Sequence, residues 1–372
     1  MRPPGPTPSA PASNRPLSSS PDEVARLMEA YLDTLAAAHA TAAVRLGHTV
    51  TRTLLIAGLR LRLIIAGAHL AALTLPALAH LPDAETGLID GEFLLWDEAA
   101  SGVALPSSPW RETPLIPGIT LALPPGAEAY RFCPSPENDT FLFINRVSGR
   151  AALWVRDARR LPFYQLASPL LLPIHWWTSS RGLRAIHAGC VATTTGAALI
   201  AGPSGAGKST TSLLCAVSGL DYLSDDYCLV RPGPQATAYS LFNNAKLHRD
   251  QFARFPALAP LAVQPPPGSP DKPIVFFHQH HPERVRLSAP LRVVILPVVS
   301  GRETTTASRI PALAALSTLA SSSIAQLPQD SAAPLLLELA SLAHRLPCYR
   351  LDLGTRLDEI APCVRSLITA SA

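Results

Sequence analysis

The apolar residues near the start of the chain follow a helical spacing. From Ser20 or Pro21 onward they recur every three or four positions, which predicts an amphipathic helix. The apolar positions of this helix are Val24, Leu27, Met28, Tyr31, Leu32 and Leu35. Residues 1 to about 21 lack such a pattern and are rich in Pro, Ser and Ala, so we predict that they form a disordered tail.

The spacing changes to two between Leu54 and Ile65, which predicts a buried strand over this segment. The residues that alternate are Leu59, Leu61 and Leu63 against Arg60 and Arg62. The next apolar stretch, from His69 to Leu81, predicts a helix that follows the strand.

Short apolar runs separated by Pro, Gly and Ser predict further strands at Phe93–Trp96, Phe141–Asn145 and Ala152–Val155. This part of the chain carries no recognisable chemical motif, and we predict an α+β domain over residues 22–165. Beyond Pro162 the order becomes strand, glycine-rich loop, helix and strand, which is typical of nucleotide-binding domains. We therefore place a second domain over residues 166–372.

The strongest chemical signal is a glycine-rich loop between an apolar strand, Ala197–Ala201, and a helical run, Thr210–Ser218. The loop reads Gly202-Pro203-Ser204-Gly205-Ala206-Gly207-Lys208-Ser209 and satisfies every position of the G-x-x-x-x-G-K-S/T pattern. Glycine permits the backbone angles that turn N–H groups toward phosphate oxygens, and the helix adds its positive end. We expect Lys208 to reach the β- and γ-phosphates and the Ser209 hydroxyl to bind Mg²⁺.

Two adjacent carboxylates, Asp225 and Asp226, form the second signal. The helix after the loop carries the chain roughly 16 Å away, and Gly219 is a suitable stop for it. An extended segment from Asp221 to Asp226 can return about 20 Å, which brings both carboxylates back beside the loop. One could then hold Mg²⁺ while the other accepts a proton from an attacking hydroxyl. The alternative is a pair of surface aspartates that end a strand.

Residues 186–230 resemble the catalytic domain of the HPr serine kinase/phosphorylase family, and more closely the related kinases of lasso-peptide gene clusters. Three motifs carry the resemblance: Ile186-His187-Ala188, the glycine-rich loop and Leu223-Ser224-Asp225-Asp226. As in that family, a histidine precedes the loop lysine by 21 residues and the second aspartate follows it by 18. The resemblance implies a P-loop kinase domain of the HPr kinase and PEP carboxykinase-like type, an α/β fold, preceded here by the smaller α+β domain.

The resemblance also implies roles for particular residues. Asp226 is expected to be the general base, His187 an active-site residue near the phosphates, and Lys208 a catalytic cation. ATP would be held by the glycine-rich loop and Thr210, and Mg²⁺ by Ser209 and Asp225.

The resemblance stops short of the family's Arg-Gly-Leu-Gly signature, in whose place this chain has Asn243-Asn244-Ala245-Lys246. It therefore does not extend to HPr as substrate or to the reverse reaction. The acceptor it implies is a serine hydroxyl of a peptide or protein, namely a ribosomally made precursor peptide. A kinase of a small-molecule alcohol and a non-catalytic nucleotide-dependent switch remain the alternatives. An oligomer of identical chains also remains open.

Composition and charge argue against nucleic-acid binding, membrane association and a secreted, disulfide-bonded protein. The formal charge is +4 without a dense Lys/Arg run, so we expect no nucleic-acid partner. The apolar stretch from Leu54 to Leu81 is interrupted by Arg60 and Arg62, whereas a spanning helix needs about 20 apolar residues, so we expect no membrane association. The six cysteines are far apart in sequence, which favours buried thiols and a cytoplasmic protein. The N-terminal residues do not form a secretory signal.

Three weaker signals have ordinary interpretations. We interpret the histidine cluster at His278–His281 as a solvated turn rather than a metal site, and His175–Trp177 as a buried aromatic cluster rather than a stacking platform. Lys246 and Lys272 lie near apolar segments. We interpret both as surface lysines, the alternative being that one of them stabilises a transferring phosphoryl group.

Overall fold

The computed structural model describes residues 20–109, 125–135, 137–327 and 332–371, and within them the chain is a mixed α/β protein. The predicted tail therefore lies almost entirely outside the described residues. The helices are α1 (Pro21–Leu46), α2 (Ala68–Thr74), α3 (Glu98–Ser101), α4 (Leu171–Ser179), α5 (Lys208–Val217), α6 (Phe277–His280), α7 (Ala312–Gln326), α8 (Ala332–Arg345) and α9 (Ile360–Ala370).

The strands form two large sheets and a two-stranded ribbon. Their bounds are β1 (Thr49–Ile56), β2 (Leu59–Ala66), β3 (Gly91–Asp97), β4 (Tyr130–Ser135), β5 (Thr140–Asn145), β6 (Arg150–Val155), β7 (Arg184–His187), β8 (Gly189–Thr193), β9 (Gly196–Ile200), β10 (Asp221–Ser224), β11 (Tyr227–Arg231), β12 (Thr237–Ser240), β13 (Asn244–Lys246), β14 (Ile274–Phe276), β15 (Ser288–Val299), β16 (Thr306–Arg309) and β17 (Cys348–Leu353).

Helix α1 begins where the sequence predicts it. The Ser20 hydroxyl accepts a hydrogen bond from the backbone of Glu23, and the Glu23 carboxylate accepts one from the backbone of Ser20 at 2.8 Å. This reciprocal pair satisfies two N–H groups that a helix start would otherwise leave without a partner. The predicted apolar stripe is buried apart from Leu27, and Gly47 ends the helix with a left-handed backbone.

The first sheet has the order β1-β2-β3-β6-β5-β4. Because side chains alternate across a strand, the sheet presents two apolar faces. Helix α1 covers one face against Trp96, Phe143 and Trp154, while Leu63 and Leu95 lie on the other face. The three strands predicted from the short apolar runs, now β3, β5 and β6, are confirmed.

The single strand predicted from Leu54 to Ile65 is wrong, because the segment is a hairpin. Strands β1 and β2 pair antiparallel up to Ile56 and Leu59, leaving a two-residue turn. Ala57 and Gly58 in that turn have φ of 51° and 86°. Two successive positive φ angles match the twist of a tight hairpin, but alanine seldom adopts them. No polar residue interrupts the run from Leu54 to Leu59, so the sequence pattern conceals the turn.

The helix predicted from His69 to Leu81 is shorter than expected. Helix α2 ends at Thr74, and Pro76 begins a separate 3₁₀ turn that runs to Leu78. Proline has no N–H to continue the helical ladder, which explains the break.

The second sheet contains the remaining long strands in the order β10-β8-β9-β15-β12-β11-β7, with β17 beside β15 and β16 beside β17. Helices α5 and α9 pack on one face, and α7 and α8 pack on the other. Strands β9, β15 and β17 are parallel, so their carboxyl ends meet at one edge. Such an edge is the usual place for a ligand site in an α/β sheet.

The two halves of the chain share a core and several buried hydrogen bonds. The Asn243 side chain donates to the carbonyls of Pro76 and Ala77 at 2.8 and 2.9 Å, and the Asn244 side chain donates to the carbonyl of Ala167. One cluster of buried apolar residues extends from the first sheet into the second half. The division into domains near residue 165 stays a prediction.

Helix α4 confirms the interpretation of His175–Trp177 as a buried cluster. The three side chains are buried, and the indole of Trp177 donates to the carbonyl of Asp90 at 3.0 Å. All six cysteines are free thiols, as the spacing predicts. No helix within the described residues combines the length and apolar character needed to cross a membrane.

We predict that Asn243→Ala destabilises the fold by about 2 kcal/mol, because the buried carbonyl of Pro76 loses its side-chain donor. Urea denaturation measures this change. Asn138→Ala is the control, because its amide bonds only the Tyr164 hydroxyl near the surface, and we expect a change within about 0.5 kcal/mol. Equal effects of the two substitutions would contradict a structural role for the Asn243 side chain.

Candidate functional site

The glycine-rich loop has the backbone that its sequence predicts. Strand β9 runs into the loop and α5 begins at Lys208, while Gly205 and Gly207 have φ of 82° and 103°. A Cβ atom added to Gly207 would lie 2.5 Å from the end of the Leu353 side chain, which would have to shift, and the positive φ is what requires glycine there. The first N–H groups of α5 have no acceptor within the helix and point toward the loop, which suits them to an anion.

Lys208 is folded back over the loop. Its ammonium group donates to the carbonyls of Gly202 and Pro203 at 2.7 and 3.1 Å, and the residue is buried. Burial lowers the pKa of Lys208, and the charges of Asp226 and Asp225 oppose that effect. The loop carbonyls thus hold the cation among the groups that would surround a phosphate.

Asp225 has one carboxylate oxygen that no protein group satisfies. Oδ2 accepts a hydrogen bond from the backbone N–H of Lys246 at 3.0 Å, whereas Oδ1 is buried without a hydrogen-bond partner. Burial, followed by the charge of Asp226, raises the pKa of Asp225 to about 6, while the nearby Ser209 hydroxyl acts to lower it. An unsatisfied buried carboxylate oxygen beside a hydroxyl fits a bound cation.

The donor set around Asp225 suits Mg²⁺ rather than a metal enclosed by protein ligands. In the part of the chain that the structure describes, no three His, Cys, Asp or Glu side chains are grouped so that they could bind a metal. Asp225 and Ser209 would leave most positions to phosphate oxygens and water, as Mg²⁺ prefers in nucleotide sites. The segment His278–His281, predicted to be a turn, instead lies in the short helix α6 (Phe277–His280) and in His281, the residue that follows it.

Asp226 lies at the centre of a charged cluster. His187 Nε2 is 3.0 Å from Oδ1, and the Lys246 ammonium group forms an ion pair with Oδ2. Burial acts to raise the pKa of Asp226, but the His187 hydrogen bond and the Lys246 charge outweigh it and hold that pKa well below its ordinary value. The carboxylate is therefore ionised at neutral pH.

Strand pairing brings His187 to Asp226, although 39 positions separate them in the chain. Strands β7 and β11 are antiparallel neighbours in which His187 pairs with Tyr227, the residue after Asp226. The His187 ring lies against the Tyr227 ring, and its backbone N–H donates to the Ser323 hydroxyl at 3.2 Å. The spacing motif in the sequence thus corresponds to a direct contact.

Lys246 is the residue whose position the sequence interpretation missed. It is the last residue of β13, and it contacts both aspartates instead of lying free at the surface. The interpretation of Lys246 as an ordinary surface lysine is therefore wrong. Lys272 is half-buried and lines the same cavity, and its interpretation as a surface lysine stays a prediction. One signal was available, because these two and Lys208 are the only lysines in the sequence.

The loop and the charged cluster share a cavity of about 650 Å³, which is within the size range of small-ligand sites. On one side of the loop it is lined by Val299, Leu353 and Leu357, at the ends of the parallel strands and just beyond them. On the other side it is lined by Asp226 and Tyr164, the latter from outside the second sheet. The cavity therefore has an apolar end and a charged end, with the loop between them.

Comparisons with known proteins leave the family open. No family model matches the sequence, and no curated protein matches it. Among solved structures, the chain is similar to the HPr(Ser) kinase/phosphatase from Coxiella burnetii at 13% identity, covering 50% of this chain and 95% of that one. The TM-score is 0.27, and this likeness is too weak to assign a family or an activity.

We predict opposite effects on stability for two isosteric substitutions, measured without nucleotide and in EDTA. The pKa of Asp225 is about 6 in the folded protein and about 3.9 in an unfolded chain, so ionisation costs stability as pH rises between these values. Asp225→Asn removes that cost. We expect it to stabilise the protein by about 1–3 kcal/mol at pH 7.5, with the gain shrinking as pH falls toward 5.

Asp226→Asn is the matched comparison. The lowered pKa of Asp226 contributes stability that is present above the unfolded pKa and is lost as pH falls. The substitution leaves Lys246 without its carboxylate, so we expect destabilisation at pH 7.5. Urea denaturation from pH 5 to 8 distinguishes the two variants, and a shared sign at pH 7.5 would contradict the charge balance described here.

Proposed function

We propose that this chain is an ATP-dependent kinase that transfers the γ-phosphate to a hydroxyl group. The observation that supports it most is the position of Asp226, an ionised carboxylate in the same cavity as a phosphate-type loop. A loop of this kind by itself fits any nucleotide-binding protein. A carboxylate held ionised beside it supplies the proton acceptor that an attacking hydroxyl needs.

The loop residues Gly202–Ser209 and the following Thr210 are proposed to bind the phosphates through backbone N–H groups and the Lys208 ammonium group. Asp225 and the Ser209 hydroxyl would hold Mg²⁺, which neutralises phosphate charge when it is bound. Lys208 needs only to exchange two loop carbonyls for phosphate oxygens. The apolar end of the cavity, at Leu353, offers a surface for the nucleotide base.

His187 is proposed to position the base. Its hydrogen bond fixes Oδ1 of Asp226 and leaves Oδ2, which now faces Lys246, to accept the proton of the acceptor hydroxyl. A carboxylate with a low pKa is a weak base. It suits a reaction in which the bond between the γ-phosphorus and the bridging oxygen of ADP breaks early and the proton moves late.

We further propose that the acceptor is a serine hydroxyl in a peptide or protein, such as a ribosomally made precursor peptide. Two features support this. The sequence resembles kinases of lasso-peptide gene clusters, and the charged end of the cavity is bordered by Tyr164 and by the exposed residues His248 and Arg254. These groups would be available to contact a segment of extended chain, whereas a free alcohol would not need them.

We predict that two substitutions separate binding from transfer. Lys208→Ala lowers turnover by about 10²–10³, because it removes a cation from the transferring phosphate. Asp226→Asn lowers transfer by about 10²–10⁴ while ATP affinity changes little. Transfer is measured as acceptor-dependent ADP release and binding by calorimetry, with Arg249→Ala as a control outside the cavity.

Different outcomes count against different parts of the proposal. Wild-type transfer by Lys208→Ala would contradict nucleotide use at the loop. Undiminished transfer by Asp226→Asn would contradict the base. ATP hydrolysis that no acceptor stimulates, unchanged in Asp226→Asn, would favour a nucleotide-dependent switch.

We predict that the acceptor is a peptide serine, and mass spectrometry measures its phosphorylation. Purified protein with Mg²⁺ and ATP should add 80 Da to a serine of a short peptide encoded beside its gene, and Asp226→Asn should add about a hundredth as much. HPr and a panel of free alcohols serve as competing acceptors. Efficient labelling of either one, with none on the peptide, would overturn the peptide proposal and leave the kinase intact.

A further inference from the structure

Lysine is scarce in this chain, and every lysine lies at one place. The sequence has 31 lysine and arginine residues, of which three are lysine. All three, Lys208, Lys246 and Lys272, line this cavity, although only 26 of the residues that the structure describes do so. Among the arginines that the structure describes, Arg254 is the only one that lines it. Lysine is therefore confined to the cavity, whereas the described arginines lie almost entirely outside it.

The chemistry of the two side chains gives this distribution a meaning. Arginine presents a planar fork that binds carboxylates and phosphates through two parallel hydrogen bonds, whereas lysine presents a compact point charge on a flexible stem, which also binds phosphate. Elsewhere in the structure arginine forms ion pairs with carboxylates and donates to backbone carbonyls. Examples are the Arg184 ion pair with Glu338 and the Arg181 hydrogen bonds to backbone carbonyls. In a chain this rich in arginine, lysine occurs only around the phosphate loop.

One ribbon positions Lys246 and Lys272 together. Strands β13 and β14 are antiparallel, and Lys246 pairs with Ile274, two residues after Lys272. Both side chains therefore emerge at the same end of the ribbon, opposite the loop that holds Lys208. The charges of Lys272 and Lys246 both act on the Lys208 ammonium group, which places the three cations within one electrostatic field.

Lys246 is the better placed of the two for the reacting phosphate. Its backbone N–H donates to Asp225 and its ammonium group contacts Asp226, so it lies between the proposed metal ligand and the proposed base. The carboxylate contact uses one direction of the ammonium group, and 24% of the side chain remains exposed to the cavity. Two further donors are available to phosphate oxygens.

We propose that Lys246 and Lys272 complete, with Lys208, a cage of three ammonium groups around the nucleotide phosphates, and that Lys246 contacts the γ-phosphate. This proposal rests on the proposed kinase function. In the transfer step the acceptor oxygen bonds to the γ-phosphorus, the bond from that phosphorus to the bridging oxygen of ADP breaks, and the hydroxyl proton goes to Asp226. Lys246 neutralises the oxygens of the phosphoryl group while it moves.

Amine labelling of the intact protein tests the cage directly, because the three lysines and the terminal α-amine are its only primary amines. A non-hydrolysable ATP analogue with Mg²⁺ should slow acylation of all three lysines at least tenfold, while the α-amine reacts as before. ADP should protect Lys208 and leave the rate at Lys246 within twofold of that in the free protein. Peptide mapping by mass spectrometry measures each rate.

The outcomes separate this proposal from the function on which it rests. Protection of Lys208 alone by the ATP analogue would overturn the cage and leave nucleotide binding intact. Protection of none of the three would contradict nucleotide binding at the loop, and with it the proposed function.

Affinity ratios provide the second test. Lys246→Met should reduce the preference for ATP over ADP at least tenfold, because only ATP carries the γ-phosphate, and Lys246→Arg should recover part of it. A purely structural role would weaken both nucleotides equally, which would contradict the γ-phosphate contact. Arg249→Met, which removes an exposed cation outside the cavity, is the matched control and should leave the ratio unchanged.

Discussion

The organisation of the site depends on how two adjacent buried carboxylates share their neutralising partners. Asp225 and Asp226 follow β10, where burial and mutual repulsion disfavour a second charge. The structure resolves this by giving His187 and the Lys246 ammonium group to Asp226, and a single backbone N–H to Asp225. One carboxylate is thus held ionised, and the other keeps an oxygen without a protein partner.

The sheet supplies the geometry on which this balance depends. The parallel strands β9, β15 and β17 end at one edge, so the glycine-rich loop and the apolar wall at Leu353 meet there. The first half of the chain does so indirectly, through hydrogen bonds that hold the segment before Lys246. Asn243 and Asn244 lie just before Lys246 in the chain. Their side chains donate to the carbonyls of Pro76, Ala77 and Ala167. The position of the Lys246 ammonium group therefore depends on contacts between both halves.

Sequence interpretation succeeded where neighbouring residues decide the outcome. The start of α1 at Ser20 or Pro21, the strand–loop–helix order around Lys208 and the return of the chain to Asp225 all follow from local spacing. It failed at the turn of Ala57 and Gly58, because no polar residue interrupts the run from Leu54 to Leu59 and the hairpin resembles one long strand. The same residues are compatible with both, and only pairing across the turn distinguishes them.

The sequence by itself determined the backbone of the loop, since glycine at 205 and 207 and the helix after them act within a few residues. Its resemblance to a known family also implied that His187 and Asp226 belong to one site. Only the tertiary structure decided that Lys246 and Lys272 face the loop, because their place follows from the pairing of β13 with β14 and from anchors more than 70 positions away. Contacts of that range depend on sheet order, which no local pattern encodes.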